Sequence, residues 1–424
     1  MESRDHGGVL AWALYDWANS AFAMVVMTGF FPIFFREYWS RGQPSETITF
    51  HLGAINSSAS LLIAVLAPML GAMADCKRAK KHFLAGFTSL GVLATACMFF
   101  LGGGQWVTAA GLYILGMLGY MGANIFYDAL LVNVSGVKDY DRISALGYSL
   151  GYLGGGGFFA ACVALTIWPS HFGLADSSQG VRWSFLLTAI WWSIFTLPLL
   201  TRVSEGRNPS LGLGWIDTAR FGWRQLIATF HEIRRLRIIA GFLLAYWLYI
   251  DGVNTVIRMA VNYALSLGYG SQQLIAAMLV TQLVGVPAAI FFGYLGERIG
   301  TRRAILLGIG VYVLATLWAS TMHQLWEFYA IAAVIGLVQG GVQSLSRALY
   351  ARLIPPEKSG EFFGFYNMLG KFAAVIGPLL IGLTALVSND ARLSILSILV
   401  LFISGAWLLW RLPLHGIGAD GSER

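Results

Sequence analysis

The sequence predicts an all-α integral membrane protein: twelve transmembrane helices in two pseudo-symmetric six-helix bundles. Three observations carry that expectation. First, 57% of the 424 residues are hydrophobic and only 12% are charged, where a soluble domain carries about 25% charge, and the mean hydropathy is +0.66. Second, the apolar residues fall into twelve runs, each long enough for a hydrocarbon core of about 30 Å, which takes about 20 residues of helix. Third, Lys and Arg concentrate in alternate loops between those runs, the pattern that orients membrane helices. Together these exclude a soluble enzyme, a nucleic-acid-binding domain and a disordered chain. The pI of about 9.3 reflects short basic loops and needs no nucleic-acid partner.

The predicted spans cover approximately 9–36, 48–74, 82–101, 106–133, 143–168, 183–203, 237–266, 272–296, 303–322, 325–350, 361–387 and 392–412. None shows the ten-residue alternation of a membrane β-barrel. The start, MESRDHGG, lacks a basic n-region and a small-residue cleavage site, so the first span is expected to be an uncleaved helix. With the N-terminus cytoplasmic, almost every Lys and Arg lies on the cytoplasmic side. Only Arg36, Arg41, Arg182 and Arg392 fall opposite, and Arg258 and Lys371 lie inside spans. The expected location is the plasma (inner) membrane, with both termini cytoplasmic. Cys76, Cys97 and Cys162 are scattered and odd in number, so no disulfide is expected.

The two halves repeat each other. Gly71, Asp75 and the basic Lys77–Lys81 segment follow the second span; Gly293, Glu297, Arg298, Gly300, Arg302 and Arg303 follow the eighth. Asp16 and Asn19 in the first span match Asp251 and Asn254 in the seventh. Asn124 and Asp128 match Gln343 and Arg347, and Arg142 and Gly151 match Glu361 and Gly370. Two parallel six-helix halves with a midplane site between them are the plan of many secondary transporters. The expected units are 1–203, a linker at 204–236, and 237–424.

The Gly293-x-x-x-Glu297-Arg298-x-Gly300-x-Arg302-Arg303 loop resembles the signature of the major facilitator superfamily. Four further segments are similar to its vacuole-effluxer-like branch, whose bacterial members are called the ultra-major-facilitator family. They are Trp12-Ala-Leu-Tyr-Asp16-Trp-Ala-Asn19-Ser-Ala-Phe22, Tyr249-Ile-Asp251-Gly-Val-Asn254-Thr, Gln339-Gly-Gly-Val-Gln343-Ser-Leu-Ser-Arg347 and Glu361-Phe-Phe-Gly364-Phe-Tyr366. The resemblance implies the major facilitator fold and transport by alternating access. For eukaryotic relatives it implies amino-acid export from the vacuole. The first-half loop departs from the signature, with Cys76 and Arg78 where Arg and Gly are usual, so its gate is expected to be held differently.

In the linker, Trp215, Ala219, Trp223, Leu226, Phe230 and Ile233 recur near helical spacing with Arg220, Arg224, Arg234 and Arg235 between them. An amphipathic helix on the cytoplasmic membrane surface is expected there; a plain solvated linker is the alternative.

A charged side chain at mid-bilayer costs about 2.5–3.5 kcal/mol on insertion scales. Asp16, Asp251, Arg258 and Lys371 must therefore pair, neutralise or face water. Asp251, Asn254, Arg258 and Asn262 fall on one helix face, the stripe expected of a water-filled path; an internal ion pair or packing hydrogen bonds are the alternative. Asp16, with Asn19, or Asp251 is the candidate proton carrier. Arg258 and Lys371 suit a carboxylate or phosphate, or a salt bridge to Asp16, Asp128 or Asp251.

Gly71, Asp75, Lys80, Gly293, Glu297, Arg298, Gly300 and Arg302, joined by Asp128 and Arg347, form the candidate cytoplasmic gate, a charge latch that breaks on opening. No P-loop, metal spacing or catalytic triad is present in the sequence, so no enzyme, cofactor or metal is expected. The expected partners are a small solute, protons or another coupling ion, and the bilayer, with no nucleic acid and a monomeric chain. The expected activity is secondary transport of a small polar solute, amino acids favoured and proton coupling expected, with an organic anion, sugar or siderophore carrier as the alternative within transport. A non-transporting sensor or scaffold on the same fold is the alternative from another class.

Overall fold

The computed structural model describes residues 6–205, 228–229, 236–266, 270–373, 376–388 and 394–414; the side chains of 45, 258–266, 271, 272, 382 and 385–388 lie outside the description. The expected linker helix falls almost wholly outside these residues. Among them, eleven helices are long and apolar enough to cross a membrane, and a twelfth apolar helix, Leu396–Arg411, is shorter.

The first span, α1, runs His6–Trp39. It is α-helical to Ala21 and then widens into π-helical turns at Phe22–Phe30 and Phe35–Trp39. Pro32 explains the irregularity, since its ring removes a backbone donor and crowds the preceding turn. The other spans are α2 (Ser45–Lys77), α3 (Lys80–Cys97), α4 (Trp106–Ala129), α5 (Tyr140–Ile167), α6 (Ser177–Arg202), α7 (Arg237–Ser266), α8 (Ser271–Ile299), α9 (Thr301–Thr321) and α10 (Leu325–Leu353). The eleventh span is in two pieces, α11 (Ser359–Phe372) and α12 (Ile376–Ser388), and α13 (Leu399–Arg411) follows.

The interruption has a local cause. Pro378 sits in the first turn of α12, where a missing N–H is tolerated but continuation from the preceding turn is not. The exposed N–H groups of Ile376 and Gly377 donate to the Asp251 carboxylate at 3.1 Å each. Asn254 Nδ2 donates to the carbonyls of Gly370 (3.4 Å) and Ala373 (3.2 Å) at the end of α11. One face of α7 thus satisfies both broken ends, which hydrocarbon would otherwise leave orphaned.

In the first half α1 packs on α5 and α6, and α3 on α4 and α6; in the second, α8 and α9 pack on α10, and α7 and α9 on α13. The halves meet chiefly along α5 with α8 and α2 with α11. Leu62, Val65, Leu93, Leu197, Phe291, Leu314, Val400 and Ile403 are exposed, as lipid-facing residues should be.

Two helix N-termini at the membrane surface carry a carboxylate. Asp176 accepts from Gln179 N at 2.8 Å, and this bond, with the Ser178 hydroxyl, holds its carboxyl below the usual range. Glu205 accepts from Lys80 N (2.9 Å) and Lys81 N (2.6 Å), placing a carboxylate at the α3 N-terminus, where the helix dipole favours it.

Candidate functional site

A cavity of about 330 Å³ lies between the two halves. One wall comes from α1, α4 and α5, the other from α7, α8, α10 and α11. Its lining is rich in polar groups: Asp16, Asp128, Arg347 and Lys371 carry charge, three asparagines and three glutamines contribute amides, and six tyrosines contribute rings and hydroxyls, with Ala23, Met24 and Ile250 among the apolar members.

Arg347 of α10 crosses from the second half to the first. Its Nη1 donates to Asp128 Oδ1 at 3.0 Å, its Nε to Ser144 Oγ at 2.8 Å and its Nη2 to the Ser144 carbonyl at 3.0 Å. The guanidinium also lies over the rings of Trp12, Tyr127 and Tyr148, at 4.9, 5.2 and 4.7 Å from their centroids. Arg347 is 2% exposed, so this environment stands in for water with an anion, two acceptors and three π faces. Asp128 is held on its other oxygen by Asn367 Nδ2 at 3.0 Å. Asp16 lies farther out, 4.0 Å from Arg347 Nη2, and accepts the Tyr127 hydroxyl at 3.2 Å. One cation therefore faces two carboxylates.

Beyond the cavity, at the end carrying the basic loops, the halves are locked in two places. Asp75 accepts the N–H groups of Gly360 (3.1 Å) and Glu361 (2.8 Å) at the start of α11, and pairs with Lys80 Nζ at 3.1 Å. Lys80 Nζ also donates to Ser359 Oγ at 2.6 Å. Gly71 meets the Gly360 backbone so closely that a Cβ there would overlap it. On the opposite flank, Asp141 pairs with Arg352 Nη1 at 2.8 Å and accepts from Thr301 Oγ1 at 2.7 Å, and Gly293 packs on Ala145 and the Asp141–Arg142 backbone.

Several expectations change in the folded chain. Asp251 is 0% exposed and caps α12; it does not line the cavity, so the expected wet stripe on α7 is reduced to Asn254 among the described side chains. Arg258 and Asn262 have side chains outside the description. Asn19 is 1% exposed and donates to Asn124 Oδ1 at 2.6 Å, so it supports the wall from behind. Lys371 does line the cavity. Glu297 and Arg298 are exposed and, among the described residues, form no ion pair; Asp141 takes the place expected of Glu297 in the latch. Arg302 donates to the Leu412 carbonyl at 2.8 Å and so ties down the chain after α13. Gly300 turns the α8–α9 corner with φ +91°. Arg78 makes the matching corner at φ 51°, left-handed without being glycine. Asp128 and Arg347, expected in the latch, instead pair with each other at the cavity.

Sequence reasoning passed over Gln282, Gln339, Asn367, Asp141, Ser144 and Arg352. Amides at mid-span depth were the available signal for the first three. The Asp141 contacts join helix ends far apart in sequence and left no pattern.

Comparison with known proteins agrees with this architecture. The sequence model of a family described as "Vacuole effluxer Atg22 like" matches residues 4–134 and 133–417. The MFS-type transporter YxiO of Bacillus subtilis (strain 168) is 36% identical over 409 residues, covering 95% of this chain and 94% of that protein. Autophagy-related protein 22 of Yarrowia lipolytica is 27% identical over 297 residues, 62% of this chain and 49% of its own length. Among solved structures, the human organic anion transporter MFSD10 (TETRAN) superimposes with a TM-score of 0.71 at 16% identity, over 96% of this chain and 100% of that one. The proton:xylose symporter XylE does so at 0.69 and 13% identity, over 96% and 95%. At these identities the two structures speak for the fold alone.

Proposed function

This chain belongs to the vacuole effluxer Atg22-like family and is a multi-pass, MFS-type transporter, and we propose on that premise that it carries a small polar solute across its membrane by alternating access coupled to protons. The observation that carries the proposal is the cavity between the halves whose one cation, Arg347, is shared by Asp128 and Asp16 across the interface. Alternating access needs a bistable contact that cavity occupancy biases. Arg347 supplies it, because separating the halves at the latched end pulls its guanidinium off Asp128.

Asp16 is the proton carrier in this reading. Two carboxylates facing one guanidinium leave one negative charge in excess, and a proton on Asp16 removes it where charge is costly. Lys371 balances the wall when both acids are ionised. The latched end, which bears the basic loops, is the cytoplasmic end by the loop-charge rule, so the captured conformation is closed toward the cytoplasm, with the plasma membrane as the expected location. The family resemblance implies an amino acid as solute, and nothing in the wall requires an anion.

The test is transport in proteoliposomes under an imposed pH gradient. The native chain is expected to accumulate its solute when the gradient is present. Asp16→Asn is expected to abolish that accumulation while solute exchange at equal pH survives. Undiminished gradient-driven accumulation by Asp16→Asn overturns the assignment.

A further inference from the structure

We infer that the cavity selects a net-uncharged, hydroxyl-rich solute of monosaccharide size, read by the side-chain amides of Gln282, Gln339 and Gln343; the inference rests on the transport reading above. A carboxylate ligand needs a cation with donors to spare. Arg347 already spends three of its five N–H donors on Asp128 and Ser144 and lies over three rings, and Lys371 is engaged within the protein. An ammonium ligand needs a carboxylate; Asp128 is held by both Arg347 and Asn367, and Asp16 accepts the Tyr127 hydroxyl and faces Arg347 at 4.0 Å. With both acids ionised, Asp16, Asp128, Arg347 and Lys371 sum to no net charge, so a net charge on the solute would be uncompensated at a depth where charge is costly.

The amides are the groups left to do the reading. Gln282 is 8% exposed, lines the cavity and, among the described residues, makes no side-chain hydrogen bond; Gln343 lines the same wall and makes none either. An amide that lines the cavity and is not tied to the protein has its donors and acceptor available to a ligand. Each amide offers a donor beside an acceptor, and the group that uses both at one atom is a hydroxyl. Gln339 and Gln343 lie four apart on α10, one face of a helix, and Gln282 lines the same wall from the neighbouring α8. Tyr120, Tyr148 and Tyr152 add flat faces suited to the C–H surface of a ring. The volume of about 330 Å³ sits at the small end of ligand pockets.

The experiment uses the full-length chain with D-glucose, D-xylose and myo-inositol against L-alanine, L-glutamine, L-glutamate and citrate. Thermal stabilisation in detergent reads binding, and counterflow in liposomes reads transport. The expected result is stabilisation and counterflow by at least one polyol and by neither glutamate nor citrate. Gln282→Leu and Gln343→Leu, each checked for an unchanged elution profile, are expected to weaken the polyol effect about tenfold, the factor for one lost hydrogen bond. Response to amino acids or citrate alone overturns the solute class and leaves transport standing. Stabilisation by a polyol without counterflow overturns the transport reading and leaves the class standing. Polyol binding undiminished in both leucine variants overturns the role of the amides, and no response to any polyol overturns the inference.

Discussion

Replacing Arg347 with alanine tests the link between cavity and latch most directly. The substitution removes three hydrogen bonds and leaves Asp128, 9% exposed, without its cation. Deleting one partner of a buried ion pair costs about 3–5 kcal/mol, most of it the penalty of the stranded charge. Asp128 belongs to one half and Arg347 to the other, so the cost falls on the conformation that holds the halves together, and less on either bundle alone. At 1.36 kcal/mol per factor of ten, about 3–5 kcal/mol moves the closed-to-open ratio by roughly a hundredfold to a few thousandfold. A reporter cysteine at Ser359, which is 0% exposed at the latch, reads that ratio in a chain with Cys76, Cys97 and Cys162 replaced by serine. Its labelling by a membrane-impermeant maleimide is expected to rise at least tenfold in Arg347→Ala. The rise should be smaller in the double variant with Asp128→Ala, where no charge is stranded. Unchanged labelling in Arg347→Ala, with the protein still monodisperse, would refute the reasoning.

Two further outcomes follow from the backbone contacts. Gly71→Ala puts a methyl where the Gly360 carbonyl now lies; overpacking of this kind costs about 1–3 kcal/mol, so labelling at position 359 is expected to rise and counterflow to fall, with each half intact by limited proteolysis. Asp251→Ala strips the cap from Ile376 and Gly377, and hydrogen exchange at those two amides is expected to quicken by tenfold or more, the scale of a lost charged acceptor, while Asp251→Asn, which keeps an acceptor oxygen, quickens it less.

How much of this was legible in the sequence depends on the range of the signal. Composition and run length are local, so the spans emerged with ends displaced by only a few residues: 325–350 against Leu325–Leu353, 106–133 against Trp106–Val134. The repeat singled out Asp128 and Arg347 as matching positions, but that they meet each other is known only from the packing of the halves. The repeat misled at Asp251. By matching Asp16 it shared the expectation of a wet site, yet Gly377 and Pro378 break the eleventh span beside it and its carboxylate is spent on their backbone. Nothing comparable interrupts α5, the matching helix of the first half, which runs Tyr140–Ile167, and Asp16 is left to face the cavity. Equal positions in the two halves thus carry unequal chemistry. The Asp141–Arg352–Thr301 lock was illegible for another reason: its three members sit at the ends of three helices, α5, α10 and α9, whose approach only the packing of the halves decides.

The meeting of Gly71 with Gly360 bears on leakage. A plug made from paired ions loosens in brine, because mobile counter-ions screen its attraction within a few ångströms. Two main chains in van der Waals touch have no such weakness. The barrier should therefore hold equally in dilute buffer and in strong salt, with ionic strength altering only how often the doorway swings and never how tightly it shuts.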